Sequence, residues 1–224
     1  MKFLKQFGIL IDGSEWDKAS DYENQIETLL NTINSTQVGA KLLYFIKSAG
    51  DFGLMQGQLV TIKPYFGKCN ALANGYSSLF STDNSTVEFS PVMFKGGNPH
   101  NCNNSSTAGA NPDEILFHEL IHSLRQISGK WRKGKLPKLD SKYTNDEEFI
   151  AVMVTNIYIS ISNRPLRDAH SGFGINNDQL SWTTLLLNEE RELVKVFIRD
   201  HPSLSKVIQG VNTSYNPIRA YLSK

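Results

Sequence analysis

Two histidines and one glutamate occur within the five residues His118–His122, which read His-Glu-Leu-Ile-His. Residues four apart on an α-helix project from one face, so His118 and His122 can bind the same metal ion. Glu119 then lies beside that ion, where its carboxylate can accept a proton from an attacking water molecule. The spacing therefore predicts one Zn²⁺ per chain, with His118 and His122 as ligands and Glu119 as the general base.

The residues before this segment are typical of the start of a helix. Asn111 can cap it, Pro112 suits the first helical position and Glu114 completes a capping box. The helix continues to His118, and the many apolar residues around its circumference indicate burial. Because a buried His-Glu-His cluster is costly to desolvate, the sequence favours a metal site over incidental histidines on an amphipathic helix.

A catalytic zinc has three protein ligands and leaves its fourth position for water. The candidates for the third ligand are Glu147 and Glu148, about 25 residues downstream at the start of another predicted helix. Thr144 is a good N-cap, and Glu147 would then occupy the capping-box position three residues later. Capping therefore favours Glu148 as the ligand, and Glu147 remains the alternative.

A hydrolase of this kind also needs a hydrogen-bond donor aimed at the oxyanion of the transition state. Three residues are candidates: Tyr143, Tyr158 and His170. We interpret Tyr158 as a core aromatic residue. His170 lies in a glycine-containing loop with Asp168 nearby, where it can be a surface residue, an oxyanion donor or a replacement third ligand.

These residues together predict a zinc-dependent metalloendopeptidase, in which Glu119 assists the attack of water on a peptide bond. Two alternatives use the same residues. The first is a zinc amidase or deacetylase that acts on cell-wall material, and the second is a non-catalytic zinc-binding module. Glu119 is not needed to bind a metal, so its presence argues against the second alternative.

The rest of the pattern predicts strands mixed with helices at first and mostly helices later, which is an α+β fold. We expect one domain over residues 1–224, with an N-terminal αβ subregion at about 1–128 and a helical C-terminal subregion at about 129–224. The predicted strands are residues 7–11, 58–62 and 86–90, and the predicted helices are residues 17–34 and 40–49, two that begin at 111 and near 144, and one at about 181–200.

Two further segments suit contacts with a substrate. Pro91 follows the strand at residues 86–90 and predicts a position at the sheet edge, where residues 87–89 can pair with a peptide as an added strand. Residues 129–138 hold five basic residues around Trp131. This run is either a solvated connection between helices or a contact for an acidic substrate segment.

Composition narrows the partners of the chain. The 224 residues are 40% hydrophobic and 20% charged, which fits one globular domain, and the net charge of +1 gives no reason to expect nucleic acid as a partner. No stretch approaches 18 apolar residues, so we expect no membrane span. The first apolar stretch is too short for a classical signal peptide. Cys69 and Cys102 can be two thiols or one disulfide.

The segment Thr144–Ala151 resembles the corresponding stretch of the gluzincins, whose third ligand is a glutamate on a helix downstream of the paired histidines. In a toxin of that group the ligand directly precedes an aromatic residue, which implies Glu148 here, and a catalytic tyrosine lies near the place of Tyr143. An acid often follows the ligand by four residues, but this chain has Val152. Partners for the histidine rings must then come from elsewhere.

A wider resemblance covers most of the chain. The blocks Ile-Asp-Gly-Ser, Val-Gly-Ala-Lys-Leu-Leu, Glu-Phe-Ser-Pro, Ile-Leu-Phe-His-Glu-Leu-Ile-His and Glu-Glu-Phe-Ile-Ala follow in an order similar to compact metallopeptidases of bacterial effector proteins. These include type III effectors and C-terminal domains of type VI spike proteins. The resemblance implies a minimal zincin fold, with a small mixed sheet and an edge strand over the active-site helix. It also implies a monomeric effector or toxin that a secretion system exports without a signal peptide and that acts on a target-cell protein, with a secretion-system component or an immunity protein as further partners.

Overall fold

A five-stranded mixed sheet is built from the first half of the chain. The structure is a computed structural model, and it describes residues 1–51, 60–67, 71–78, 81–94, 111–132, 134, 143–167, 174–175 and 188–223. The strands of the sheet are β1 (Lys2–Leu4), β2 (Ile9–Ile11), β3 (Val60–Lys63), β4 (Leu72–Ser78) and β5 (Ser81–Glu88).

The strands lie in the order β1-β2-β3-β5-β4. The pairs β2–β3 and β3–β5 are parallel, and the pairs β1–β2 and β4–β5 are antiparallel. Alternate residues of the three central strands point into the core, because successive side chains of a strand face opposite sides of a sheet. The fully buried residues on the core-facing side of the sheet are Ile9, Ile11, Val60, Ile62 and Val87. The predicted α+β class with a small mixed sheet is confirmed.

The predicted edge position of the strand at residues 86–90 is wrong. Strand β5 lies between β3 and β4, so residues 87–89 cannot accept an added peptide strand, and β4 has a partner on one side only among the described strands. The proline did not require an edge because the strand ends at Glu88, and Pro91 begins a short 3-10 helix, Pro91–Phe94. The predicted first strand, residues 7–11, is present as β2 from Ile9, and β1 before it was not predicted. A tight turn in which Gly8 has a φ of 65° joins the two strands.

Seven helices occur in the described residues. The helices before residue 111 begin close to the predicted positions, and residues with helical spacing on α1, such as Tyr22, Ile26 and Leu30, are buried. The predicted helix at 181–200 begins at Asn188 among the described residues. The helices are α1 (Ala19–Asn34), α2 (Gln37–Asp51), α3 (Pro112–Ile127), α4 (Asp146–Ile161), α5 (Asn188–Asp200), α6 (Pro202–Gln209) and α7 (Pro217–Leu222).

Helix α3 lies at the centre of the fold and packs against α4, α1, α2 and the strands β4 and β5. Both α3 and α4 are buried on most sides. Their polar residues therefore need partners inside the protein. Arginine–carboxylate pairs bridge the two helices at both ends. Arg164 follows α4 and binds Asp113 in the first turn of α3, and Arg125 in the last turn of α3 binds Glu147 in the first turn of α4.

A second, two-stranded sheet, β6 (Leu166–Arg167) and β7 (Gly174–Ile175), follows α4. The helices α5, α6 and α7 complete the C-terminal part, and α5 packs against α4. The division into subregions near residue 128 stays a prediction. Among the described residues, no helix has the length and apolar character required to cross a membrane. Cys69 and Cys102 lie outside the described residues.

Candidate metal centre

His118, His122 and Glu148 converge between α3 and α4. The Nε2 atoms of the two histidines are 3.1 Å apart, and Oε2 of Glu148 lies 3.3 Å from Nε2 of His118 and 3.4 Å from Nε2 of His122. Both histidines are buried, and Glu148 is partly buried. The three side chains form a group that can hold a metal ion.

The size and chemistry of this triangle fit a divalent cation. In a tetrahedral zinc site with bonds of about 2.0–2.1 Å, neighbouring ligand atoms are about 3.3–3.4 Å apart. The three distances between the ligand atoms of this centre are 3.1, 3.3 and 3.4 Å. Imidazole nitrogens and a carboxylate oxygen are also donors that zinc accepts.

The start of α4 differs from the sequence prediction. Asn145, not Thr144, is the N-cap, and its side-chain oxygen accepts the backbone N–H of Glu148 at 3.0 Å. Glu148 therefore occupies the third helical position that was predicted for Glu147. The sequence could not decide between the two caps, because threonine and asparagine are both good N-cap residues.

Glu147 forms an ion pair with Arg125 and not the predicted capping box. Its carboxylate accepts hydrogen bonds from Nε of Arg125 at 2.5 Å and from Nη2 of Arg125 at 2.9 Å. Both side chains are fully buried. The backbone N–H of Arg132 donates a further bond to Glu147 at 2.8 Å. The structure thus brings Glu148, and not Glu147, to the two histidines.

Arg167 is a site residue that sequence reasoning missed. Its Nη1 atom lies 3.3 Å from Nδ1 of His118. The side chain of Asn156 fixes the backbone of Arg167, accepting its N–H at 2.9 Å and donating to its carbonyl oxygen at 2.7 Å. No local pattern marks an arginine in a two-residue strand as buried, so the sequence carried no signal for it.

The electrostatic surroundings of the two histidines differ. Burial and the repulsion from Arg167 lower the pKa of His118 to about 3, although a hydrogen bond to the carboxylate of Glu148 opposes them. Burial also lowers the pKa of His122, but the hydrogen bond and charge of Glu148, with the charge of Glu119, outweigh it and the net shift is upward. A neutral imidazole is the form that binds a metal, and the surroundings favour that form at His118.

Trp131 forms one side of the centre. Its ring centroid lies 5.2 Å from that of His122, with the two planes at 61°, and the side chain is half-buried. The turn that ends α3 brings it there. Gly129 has a φ of 62°, and the backbone N–H of Lys130 donates to the carbonyl oxygen of Arg125 at 2.8 Å. This is a Schellman ending, in which glycine takes the left-handed position.

The other predicted residues have different surroundings. Glu119 is buried on α3, and its charge acts on both His122 and Arg167. Tyr143 is buried with its ring 5.3 Å from that of Phe149. His170 lies outside the described residues.

Tyr158 is a core residue, as the sequence predicted. Its hydroxyl donates to Oδ2 of Asp113 at 2.7 Å, and its ring stacks on Phe117 with centroids 4.3 Å apart. Burial and the charge of Asp113 raise the pKa of the Tyr158 hydroxyl. This hydroxyl joins α4 to the start of α3, which is a structural role.

Polar side chains join the sheet to the helix that carries the histidines. Oγ of Ser85 on β5 lies 2.9 Å from Oγ of Ser123 and 2.6 Å from Oε1 of Gln126 on α3. Nε2 of Gln126 donates to the carbonyl oxygen of Ala73 on β4 at 2.8 Å. The edge strand β4 is therefore held against α3, one turn beyond His122.

Residues 11–168 match the model of a peptidase family, Peptidase_M91, described as "Effector protein". The match covers more than half of the chain and includes the whole candidate centre. The chain belongs to this family. Membership in Peptidase_M91 confirms the predicted resemblance to effector-type metallopeptidases and makes the protein a hydrolase with a protein substrate. No curated protein and no solved structure gave a significant match.

Proposed function

We propose that this Peptidase_M91 protein is a zinc-dependent metalloendopeptidase that a secretion system delivers, by a non-classical route, to cleave a protein of the target cell. The observation that carries the proposal is the triangle of ligand atoms from His118, His122 and Glu148, with sides of 3.1–3.4 Å. Family membership supports the peptidase activity and the role as an effector.

Each residue of the centre is proposed to have a separate role in peptide hydrolysis. Zinc held by His118, His122 and Glu148 would polarise the scissile carbonyl and acidify the attacking water. Glu119 accepts the proton of that water and passes it to the leaving amine. Tyr143 is proposed as the donor to the oxyanion, and His170 is the other candidate for that role.

The substrate is proposed to bind along β4. This strand has one partner, β5, among the described strands, and Gln126 holds it against α3. A peptide that adds to such an edge gains backbone hydrogen bonds, and its side chains alternate between the protein and solvent. In that position its backbone runs beside the helix that carries His118 and His122.

The peptidase family favours a peptide bond over cell-wall material as the target, and Glu119 favours catalysis over metal binding alone. We propose that the protein acts as a monomer on a protein substrate, without nucleic acid as a partner. A secretion-system component and an immunity protein are the further partners that its delivery as a toxin would involve.

The experiment that tests the proposal compares the wild type with Glu119→Gln. Both proteins are purified without chelators, their zinc content is measured by mass spectrometry, and each is added to a target-cell lysate whose new N-termini are sequenced. We expect about one zinc per chain in both proteins. We expect new N-termini only with the wild type. A wild type without bound zinc, or equal cleavage by both proteins, contradicts the proposal.

A further inference from the structure

One face of α3 meets two successive residues of α4. His118, His122 and Arg125 are four and three residues apart on α3, so they lie along the same stripe of the helix. Glu148 contacts the two histidines and Glu147 contacts Arg125. Two successive glutamates of α4 therefore contact the same stripe of α3, Glu148 at the histidines and Glu147 one turn further along, at Arg125.

The Arg125–Glu147 pair joins four segments of the chain, since Nη2 of Arg125 also lies 3.5 Å from Oδ2 of Asp200 at the end of α5. It links the last turn of α3 to the first turn of α4 through hydrogen bonds of 2.5 and 2.9 Å. Nη2 of Arg125 also donates to the carbonyl oxygen of Lys130 at 2.8 Å, and Glu147 accepts the N–H of Arg132 at 2.8 Å. The two residues on either side of Trp131 are thus held by their backbone atoms.

The pair is better suited to fixing positions than to adding stability. Both side chains are fully buried, and the desolvation of two buried charges offsets much of their attraction. An apolar pair of similar volume often gives the same stability. A two-point arginine–carboxylate contact holds both groups in one relative orientation. Contacts between apolar side chains are not directional and do not fix the orientation in this way.

We propose that Arg125 and Glu147 are positioning residues of the metal centre, acting through Glu148 and Trp131. Successive helical residues project about 100° apart, so a Glu147 held on Arg125 turns Glu148 toward the histidines. The same pair keeps Trp131 against His122. This inference rests on the proposed function, because it assigns the pair a role in binding the metal.

The chain contains a matched control at the other end of the same two helices. Nη2 of Arg164 lies 2.8 Å from Oδ2 of Asp113, and Nη1 lies 3.1 Å from Oδ1. This pair has the same chemistry and also bridges α3 and α4. It contacts Tyr158 near the end of α4 and Glu114 in the first turn of α3.

The test compares Arg125→Met/Glu147→Met with Arg164→Met/Asp113→Asn. Each protein is stripped of metal, and its dissociation constant for Zn²⁺ is measured by competition with a chromophoric chelator. We expect the first variant to bind Zn²⁺ about 10- to 100-fold more weakly than the wild type, as is typical for residues that support ligands. We expect the control to stay within about threefold of the wild type.

A second variant and a second signal complete the test. Glu147→Gln preserves the side-chain shape and decides the question if the double methionine variant does not fold. In a Trp16→Phe/Trp182→Phe background, we expect Co²⁺ bound at the centre to quench the fluorescence of Trp131, and we expect Glu147→Gln to weaken this quenching. Wild-type affinity and quenching in Glu147→Gln would overturn the inference while leaving the proposed function intact. A wild type that binds no Zn²⁺ would overturn both.

Discussion

The guanidinium group of Arg167 lies 3.3 Å from Nδ1 of His118, whose Nε2 faces Glu148. A histidine that binds a metal through one ring nitrogen usually donates a hydrogen bond from the other ring nitrogen to an acceptor such as a carboxylate. A guanidinium only donates hydrogen bonds. The contact therefore requires an Nδ1 without a proton, whereas an imidazole bound to a metal through Nε2 carries its proton on Nδ1.

From this relationship we predict that Arg167→Met binds Zn²⁺ more tightly than the wild type. The substitution removes a positive charge and a competing donor from the side of His118. We expect a gain of about tenfold in affinity, which corresponds to about 1.4 kcal/mol. Competition with a chromophoric chelator measures it, and Arg164→Met removes a similar charge away from His118 as the control. Weaker binding by Arg167→Met would instead show that the arginine holds the imidazole in place.

Glu148 is predicted to contribute more to metal affinity than the residues that only support the ligands, such as Arg125 and Glu147. Glu148→Gln keeps the backbone hydrogen bond to Asn145 but removes the negative charge that faces both histidines. We expect the affinity for Zn²⁺ to fall by more than about 100-fold, beyond the usual effect of residues that only support ligands. Glu189→Gln, on α5, is the control for loss of one acidic charge. A zinc affinity that survives Glu148→Gln would remove Glu148 from the ligand set.

Trp131 is predicted to influence substrate choice more than metal binding. Its half-buried ring stands beside His122 and presents an apolar surface next to the centre. Once a cleaved sequence is known, two peptides that differ only in having leucine or alanine beside the scissile bond are compared. We expect Trp131→Ala to reduce the leucine preference in kcat/KM by about tenfold, within the range for one apolar contact. Trp16→Phe should leave the preference unchanged, and an equal loss for both peptides would contradict a role in selectivity.

Buried His201 is predicted to make the fold sensitive to acid. Burial, together with the positive charge of Arg125, lowers its pKa to about 4. The unfolded chain binds a proton near the ordinary pKa of 6.5, so the folded state loses relative stability as the pH falls from about 6.5 to 4. The loss is about 3 kcal/mol at most. Above pH 6.5 His201 is neutral in both the folded and the unfolded chain, so it does not make the free energy of unfolding depend on pH.

Urea unfolding at pH 7.5 and pH 4.5, with a chelator present to remove any effect of bound metal, measures the change. His201→Gln cannot take up the proton, and we expect its free energy of unfolding to vary less between the two pH values. His201 contributes nothing to the acid sensitivity if the wild type and this variant lose the same stability.

Local patterns in the sequence were sufficient for part of this structure. The helical spacing of Tyr22, Ile26 and Leu30 and the cap at Asn111 predict elements that are present. The paired histidines and a downstream acidic residue predict the cluster. These features depend on spacing within one element, or on two elements that each have a clear start.

The remaining features depend on contacts between distant segments. Thr144 and Asn145 are equivalent as caps by type, and only the folded chain shows which one accepts a backbone N–H. The order of β4 and β5 follows from a sheet topology that a single proline does not determine. Arg125 and Arg167 are hydrophilic by type, and their burial follows only from the carboxylates and carbonyl groups that surround them.

The bond between Arg125 and Glu147 also has a consequence for the divergence of this family. Because the Arg125–Glu147 pair inside the core joins α4 to α3 directly, we expect only a weak constraint on the length of the connecting sequence after Arg132. Related chains can gain or lose residues there without moving the glutamate that faces the histidines. We therefore expect the connection to vary in length among relatives while the arginine and both glutamates change together or not at all.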